Sequence, residues 1–585
     1  MEAMSENITY FDKPWLKSLD DAVKPTLEYP QKPLHQFLEE DAQRVPNKTA
    51  LITSAKIPVL GRLTAEVTYA ELNDASDALA AALVDMGLKK GDRVAIAMPN
   101  TVAFLISFYA TLKAGGVVSA VNPTYPAGKM RDQLNDCDAE FALTLTLFYD
   151  TIKQVQSETK LKTVIVSNIK EYLPGIARVL FTIAREKKEG HRVESLATGD
   201  YWLQDVLTKY QGQKPNVTVT PEDIAIFQYT GGTTGIPKAA VGQHKALVAN
   251  MLMANELITL VCGDGHDDIY LGAIPFFHVY GLVAVVSLSV FRSSRIVLVP
   301  NARDIDDVIE CLNHYKATLF PGVPALYNAI NNHPRVQAGQ IDLSSLKLCI
   351  SGSAPLPPTV KDEFERLSGG SVREAYGMSE TPTATHSNPI FKENRRGSIG
   401  LPLSDVECRI VSLDDGETDV PVGDIGELAI HSPNLMVGYH KMPTETANAL
   451  REKDGKKWLF TGDIARMDED GYFYIVDRKK DMALIGGFNV YPNAVEKAIK
   501  AHPDVLEVGV AAISHPSKPG QEALKAWIVR KPDTTVTDQE IIAFLKDKLA
   551  QYEIPRRISF IDELPKSTVG KTLRRELIRL ETEEV

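Results

Sequence analysis

At 585 residues the chain is too long for one ordinary domain, so two or more folded units are expected. Hydrophobic residues make up 44% and charged residues 24%, the balance of a soluble globular protein, and no uninterrupted apolar run reaches membrane-spanning length. The net charge of −12 argues against a general nucleic-acid binder, since phosphate backbones demand an excess of Lys and Arg.

The first 50 or so residues contain prolines and lack periodicity, which predicts a wrapping arm rather than a folded unit. Their acidic start, Met1 to Glu6, has no apolar core and does not read as a signal peptide. Val67-Thr68-Tyr69 then leads into a helix predicted over about 70–86, closed by Gly87. Val94 to Met98 reads as a buried strand, Asn100 to Ala114 as a helix ending at Gly115-Gly116, and Val117 to Val121 as the next strand. This alternation returns at residues 296–299, 317–320 and 346–350 and predicts an α/β fold with mostly parallel sheets. Five scattered cysteines, Cys137, Cys262, Cys311, Cys349 and Cys408, show neither metal-ligand nor redox spacing and suit a reduced cytoplasm.

Residues 171–190 interrupt the rhythm. Leu173, Ile176, Val179, Leu180 and Ile183 fall at helical spacing, with Arg178, Arg185, Lys187 and Lys188 alongside or just after. Such a face can rest on an anionic membrane surface or pack on its own domain, and periodicity does not separate the two. Residues 478–585 change character. Strands are predicted at 506–510 and 524–529, and the capping box Thr537-Asp538-Gln539-Glu540 opens a helix running to about Leu549, which together describe a small α+β module.

The most informative stretch is Tyr229-Thr230-Gly231-Gly232-Thr233-Thr234-Gly235-Ile236-Pro237-Lys238, which follows the apolar strand 224–228. Glycines let successive N–H groups converge on one anion, the threonines add hydroxyl donors, and Lys238 adds a mobile cation, so the stretch reads as a phosphate cradle. It is not a Walker A loop, because Pro237 forbids an uninterrupted helix through Lys238. Ser351-Gly352-Ser353-Ala354-Pro355 brings small residues to a strand's carboxyl end, where a flat ligand can approach the backbone. In Glu374-Ala375-Tyr376-Gly377-Met378-Ser379-Glu380, Tyr376 offers a ring for stacking, Ser379 a hydroxyl and Glu380 a carboxylate for a hard cation. His278 lies in the aromatic setting Pro275-Phe276-Phe277-His278-Val279-Tyr280, where a lone histidine is usually a satisfied core residue. Asp463, after the turn at Gly462, is suited to accept hydrogen bonds from ribose hydroxyls.

In this order, over about residues 50–580, these motifs resemble those of the adenylate-forming superfamily, which includes acyl-CoA synthetases, luciferases and peptide-synthetase adenylation domains. The Gly-Gly form of the cradle, the run Asp477-Arg478-Lys479-Lys480-Asp481-Met482 and the run Gly487-Phe488-Asn489-Val490-Tyr491-Pro492-Asn493 are similar to those of long-chain fatty acid:CoA ligases. Ala239 replaces the commoner glycine after the lysine, and Ser379 replaces threonine while keeping the hydroxyl.

The resemblance implies a large domain at 1–477 that binds AMP and a small mobile domain at 478–585. Thr230, Gly231, Gly232, Thr233, Thr234, Gly235 and Lys238 would hold the phosphates of ATP. Gly352, Ser353 and Ala354 would cover the adenine beside Glu374, Ala375, Tyr376, Gly377 and Ser379, while Asp463, Ile475 and Arg478 would meet the ribose or its platform. Thr230 and Glu380 would hold Mg²⁺. His278 would border the reacting carboxylate, and the acyl group would lie against Val323, Gly377 and Met378, with Gly377 removing a wall that acetate-specific relatives close with an aromatic. Lys571, in Pro565-Lys566-Ser567-Thr568-Val569-Gly570-Lys571, would bring carboxylate and α-phosphate together, where a fixed cation offsets their repulsion. Lys480 would be the hinge, and Gly486 and Gly487 would line the path of coenzyme A. The activity implied is activation of a long-chain fatty acid to an acyl-adenylate and its transfer to coenzyme A. A medium-chain or aryl acid, or a separate carrier protein, is the alternative. The implied enzyme is cytoplasmic; its amphipathic stretch 171–190 allows either peripheral contact at the membrane inner face or packing on its own domain, and it is compatible with a homodimer.

Overall fold

The computed structural model describes residues 8–57, 60–230, 238–265, 267–485, 487–515, 521–567 and 570–583. Helix Tyr69–Asp85 begins where Thr68 and Glu71 close a reciprocal capping box, and Val102–Lys113 begins at the Thr101 cap. All twelve residues of the second helix are buried, as a helix that is apolar all round requires. The two helices share one core with residues of two large sheets. Tyr69 donates its hydroxyl hydrogen to the Ser294 carbonyl across that core, and Phe104 meets Phe276 at 5.7 Å.

The first large sheet has nine strands. Its centre is parallel and runs Ser371–Met378, Leu348–Ser351, Leu319–Gly322, Ile269–Gly272, Arg295–Leu298 and Thr49–Ile57, and antiparallel strands finish both edges. The second has seven strands, parallel from Tyr201–Trp202 through Thr163–Ser167, Phe141–Leu145, Arg93–Ala97 and Val117–Ala120 to Ile224–Thr230, with Lys238–Gln243 returning antiparallel. The expected α/β architecture with mostly parallel sheets is therefore present.

A third, antiparallel sheet was not foreseen. It joins Glu407–Val411, Gly426–His431, Lys456–Met467 and Leu450–Lys453, and Phe473–Arg478 pairs with Lys456–Met467. The amino-terminal arm lies against this layer. Trp15 is buried on Phe473, and Asp20 accepts the backbone N–H groups of Ile390, Phe391 and Lys392. Gly471 faces Trp15 so closely that a Cβ there would sit 2.3 Å from the Trp15 nitrogen.

Beyond residue 478 come the hairpin Ala483–Ile485/Phe488–Val490 and a sheet of Val505–Ser514, Glu522–Arg530 and Arg557–Phe560. The expected capping box at Thr537 and Glu540 is formed, but its helix ends at Leu545, four residues earlier than predicted. Helix His244–Cys262 is long and apolar enough to cross a membrane by length and composition alone, yet Leu247, Val248 and Met251 are built into the main core.

Candidate active site

In open α/β sheets the usual ligand position is the cleft at the carboxyl ends of the parallel strands. Thr230 ends one strand, and its register partner Lys238 begins the next. Gly231, Gly232, Thr233, Thr234 and Gly235 lie outside the described residues, as does Gly486. Segment 437–440 lies along the returning strand: Val437 donates to the Val241 carbonyl, Val241 to Gly438, and His440 to Ala239. That pairing delivers Tyr439, which sequence reasoning missed. Its ring lies 5.5 Å from Lys238 Nζ, and its hydroxyl donates to Glu380 Oε1 at 2.6 Å. One tyrosine thus connects Lys238, the lysine expected at the phosphates, to the candidate metal carboxylate.

Among the described residues no group of three or more His, Cys, Asp or Glu could hold a metal ion. A single half-buried carboxylate at Glu380 suits a hard cation that takes most of its ligands from phosphate oxygens and water, and Mg²⁺ behaves in this way.

The base of the cleft is built around Asp463, which is 2% exposed. Tyr376 donates its hydroxyl hydrogen to Asp463 Oδ2 at 2.6 Å, and Arg478, the register partner of Asp463, brings Nε to 2.9 Å from Oδ1. The arginine contact is an ion pair without hydrogen-bond geometry, so Oδ1 remains a buried acceptor with no directed donor. A buried carboxylate oxygen is costly to leave unsatisfied, and a ribose hydroxyl would satisfy it. The neighbouring negative charge of Asp463 raises the Arg478 pKa. Ile475, half-buried opposite Ala465, belongs to the same strand as Arg478.

Lys571 is electrostatically coupled to this group through Arg478 and Asp463. Lys566 and Thr572 pair through an antiparallel bridge, and Gly570 lies against helix Pro324–Asn331, where a Cβ would meet Ala325 at 3.1 Å. The Lys571 side chain reaches water but sits in a cleft crowded by protein. Desolvation, and then the positive charges of Arg478 and Lys480, push its pKa down to about 8, against the pull of Asp463 and Asp481.

Glu374, the register partner of Ser351, is pushed up to about 7 by burial, with Lys361 opposing the shift. Ser353 holds φ +71°, a strained value for a non-glycine residue, in the loop expected to cover the adenine. Beside that loop, Gly352 lies against the Tyr280 ring, whose hydroxyl donates to the Ile350 carbonyl at 2.7 Å. His278 caps the short helix Val279–Gly281, its Nδ1 accepting from Tyr280 N–H at 3.3 Å. Burial pushes its pKa down to about 4, so at neutral pH it carries no charge to repel or attract a carboxylate.

Gly377 has a structural reason to be glycine that does not involve an acyl group. The antiparallel pairing of Ser371–Met378 with Thr383–Ser387 shifts register between Tyr376 and Gly377, and a Cβ at Gly377 would stand 1.6 Å from the Thr383 carbonyl oxygen. Thr383 itself holds φ +126°. Gly377→Ala is therefore expected to destabilise the fold by at least ~3 kcal/mol. A thermal midpoint within about 2 °C of the parent would contradict the clash. The proposed acyl contacts do not share one apolar cluster: Val323 packs in the main core, whereas Met378 packs against Ala240, Met436 and Leu459. Ala375 and Ser379 stand on either side of this bulge. Gly487, at φ +87°, turns the hairpin that carries Phe488, and the Phe488 ring stacks on Tyr552 at 4.5 Å. Lys480 is exposed, between Arg478 and Asp481.

A parallel-sheet cleft, an antiparallel layer and a small carboxyl-terminal module describe the adenylate-forming class of enzymes. Residues 38–440 match the family model described as AMP-binding enzyme, and residues 494–571 match its C-terminal domain. The chain belongs to the AMP-binding enzyme family. It is similar to a long-chain-fatty-acid–CoA ligase of Bacillus subtilis, 37% identical over 98% of both chains. It is also 35% identical to one of Escherichia coli O157:H7, over 93% of this chain and 94% of that one. ATP-bound MatB from Rhodopseudomonas palustris superposes with a TM-score of 0.80 at 27% identity, covering 95% of this chain and all of the other. A long-chain-fatty-acid–CoA ligase from Archaeoglobus fulgidus shares the fold, with a TM-score of 0.68 at 24% identity over 92% of this chain and 99% of that one.

Proposed function

We propose that this chain activates a long-chain fatty acid with ATP and transfers the acyl group to coenzyme A. The observation that carries the reading is the loop of Lys571 seated against the large domain, with Gly570 on Ala325, which leaves Lys571 electrostatically coupled to Asp463 and Arg478. The names of the full-length relatives support the acyl class.

In the first step a carboxylate oxygen attacks the α-phosphorus, the bond to the pyrophosphate oxygen breaks, and pyrophosphate leaves. The Lys571 ammonium offsets the repulsion between the two anions, and Asp463 fixes the ribose. Tyr376 orients Asp463 and offers its ring to the adenine. His278 stays neutral and borders the carboxylate. Thr230 and Glu380 would hold Mg²⁺, which would supply neutralisation of the charge developing on the phosphates. In the second step the thiol sulfur of coenzyme A attacks the acyl carbonyl, the bond to the AMP oxygen breaks, and the thiol proton passes to solvent. Residues 478–585 act as a mobile module that turns about Lys480, withdrawing Lys571 and bringing in the Gly487 hairpin. We assign the observed arrangement to the first step. The enzyme is cytoplasmic, in peripheral contact with the membrane inner face.

Pyrophosphate release across saturated acids of graded length, with coenzyme A supplied or withheld, tests the assignment. Thioester formation favouring long chains is the expected result. Preference for medium-chain or aryl acids would move the substrate class, and no thioester with any fatty acid would overturn the reading.

A further inference from the structure

Between strands Thr163–Ser167 and Tyr201–Trp202 the chain leaves the seven-stranded sheet to form helix Gly175–Ala184. Ala177 and Phe181 anchor the helix, Phe181 against the His191 ring at 5.5 Å. The opposite stripe is bare. Ile176, Val179, Leu180 and Ile183 recur at helical spacing and are 60%, 58%, 41% and 79% exposed. Leu147, also exposed, lies beside Gly190 just beyond the helix. Single exposed aliphatics are ordinary, but a stripe of four on one short helix marks an interaction surface.

The surroundings of the stripe indicate its occupant. Residues 170–192 hold six basic side chains (Lys170, Arg178, Arg185, Lys187, Lys188 and Arg192) against the acidic Glu171, Glu186 and Glu189, in a chain whose net charge is −12. Glu171 pairs with Arg178, Glu186 with Lys170, Glu189 with Arg185 and Glu194, just beyond, with Arg192. Lys187 and Lys188 are exposed and form no ion pair among the described residues. An aliphatic stripe flanked by surplus lysines fits a surface that is oily beneath and anionic above. Ten residues are too few to span a bilayer, which takes about 20. Four aliphatic side chains also fall short of the ~800 Å² per partner of a standard protein interface, which disfavours a second copy of this chain.

We propose that helix Gly175–Ala184 lies in the interfacial layer of an anionic bilayer, with Ile176, Val179, Leu180 and Ile183 facing the acyl chains and Lys187 and Lys188 at the headgroups. This deepens the peripheral contact proposed above and does not depend on which acid the enzyme activates.

Co-sedimentation of the full-length protein with vesicles tests the proposal, comparing pure phosphatidylcholine with vesicles containing about one-third phosphatidylglycerol. Binding to the anionic vesicles that weakens with salt is expected. Lys187→Glu/Lys188→Glu should weaken it by at least about 20-fold, taking about fivefold for each lysine. Val179→Glu/Ile183→Glu should abolish it, while thermal midpoint and pyrophosphate release with a short, soluble acid stay at parent values. Equal binding of parent and Val179→Glu/Ile183→Glu would overturn the proposal. So would a change by light scattering from dimer to monomer in that variant with vesicle binding retained, which would assign the stripe to a second copy of the chain.

Discussion

Replacing Lys571 with methionine should lower pyrophosphate release by about 10²–10³-fold, the cost of removing one preorganised charge partner from a reacting oxyanion. Thioester formation from supplied acyl-adenylate should remain within about twofold of the parent, because the ammonium serves only the step in which two anions meet. Equal loss in both steps would refute the two-station scheme. The lysine also sets a pH limb. Its pKa in the free enzyme is pushed down to about 8, so the charge is complete below that pH and is lost as pH rises through it. The ratio kcat/KM reports groups of the free enzyme and should fall above pH about 8. Bound phosphates favour the ammonium, so the limb in kcat should lie higher. Lys571→Arg keeps its charge throughout and should flatten the limb even if its longer fork slows the reaction.

Arg574→Met should destabilise the carboxyl-terminal module by about 3–5 kcal/mol, the cost of removing one partner from a buried ion pair. Arg574 is 15% exposed and lies 3.0 Å from Asp481, 2.8 Å from Glu496 and 3.4 Å from Asp477, which is 0% exposed. It also bonds Asn493. Burial raises the pKa of both Asp477 and Glu496, and Arg574 opposes the rise. Without the arginine, two carboxylates are left desolvated and unpaired. Asp477 also accepts the Asn493 N–H at the start of helix Pro492–Lys500, so the cluster ties the last strand before the proposed hinge to the module that carries Lys571. Hydrogen exchange over residues 478–583, together with a denaturant melt, would measure the effect. Adding Glu496→Gln should recover part of the loss. A change below about 1 kcal/mol would place the cluster with ordinary surface ion pairs.

The alternating layers were legible because each element carries its own signal. Helix Tyr69–Asp85 announces itself through Thr68 and Glu71, and the strands near 94, 117, 296 and 348 are apolar runs of the right length. The antiparallel layer was hidden because its strands are individually mixed. Leu450–Lys453 is a short, half-exposed run paired to Lys456–Met467 only through a tight turn. The candidate site divides in the same way. Asp463, Arg478 and Tyr376 stand in motifs that can be read locally, and the fold brings them to within hydrogen-bonding or ion-pair distance. Tyr439 could not be found locally, because it reaches Glu380 only when its segment lies along a strand some two hundred positions earlier. Gly377 was visible, but its collision partner, the Thr383 carbonyl, appears only once the bulge is folded.

The amino-terminal arm has a consequence for synthesis. Ser18 bonds the Asp470 carbonyl across 452 positions, and Trp15 packs on Phe473 in the strand that leads to Arg478. At ~5–20 residues per second, about 20–90 s of translation separate the arm from its resting place. Through that interval the Trp15 indole has no native partner, so a stretch made early is seated late, with its apolar surface open to chaperone capture in between.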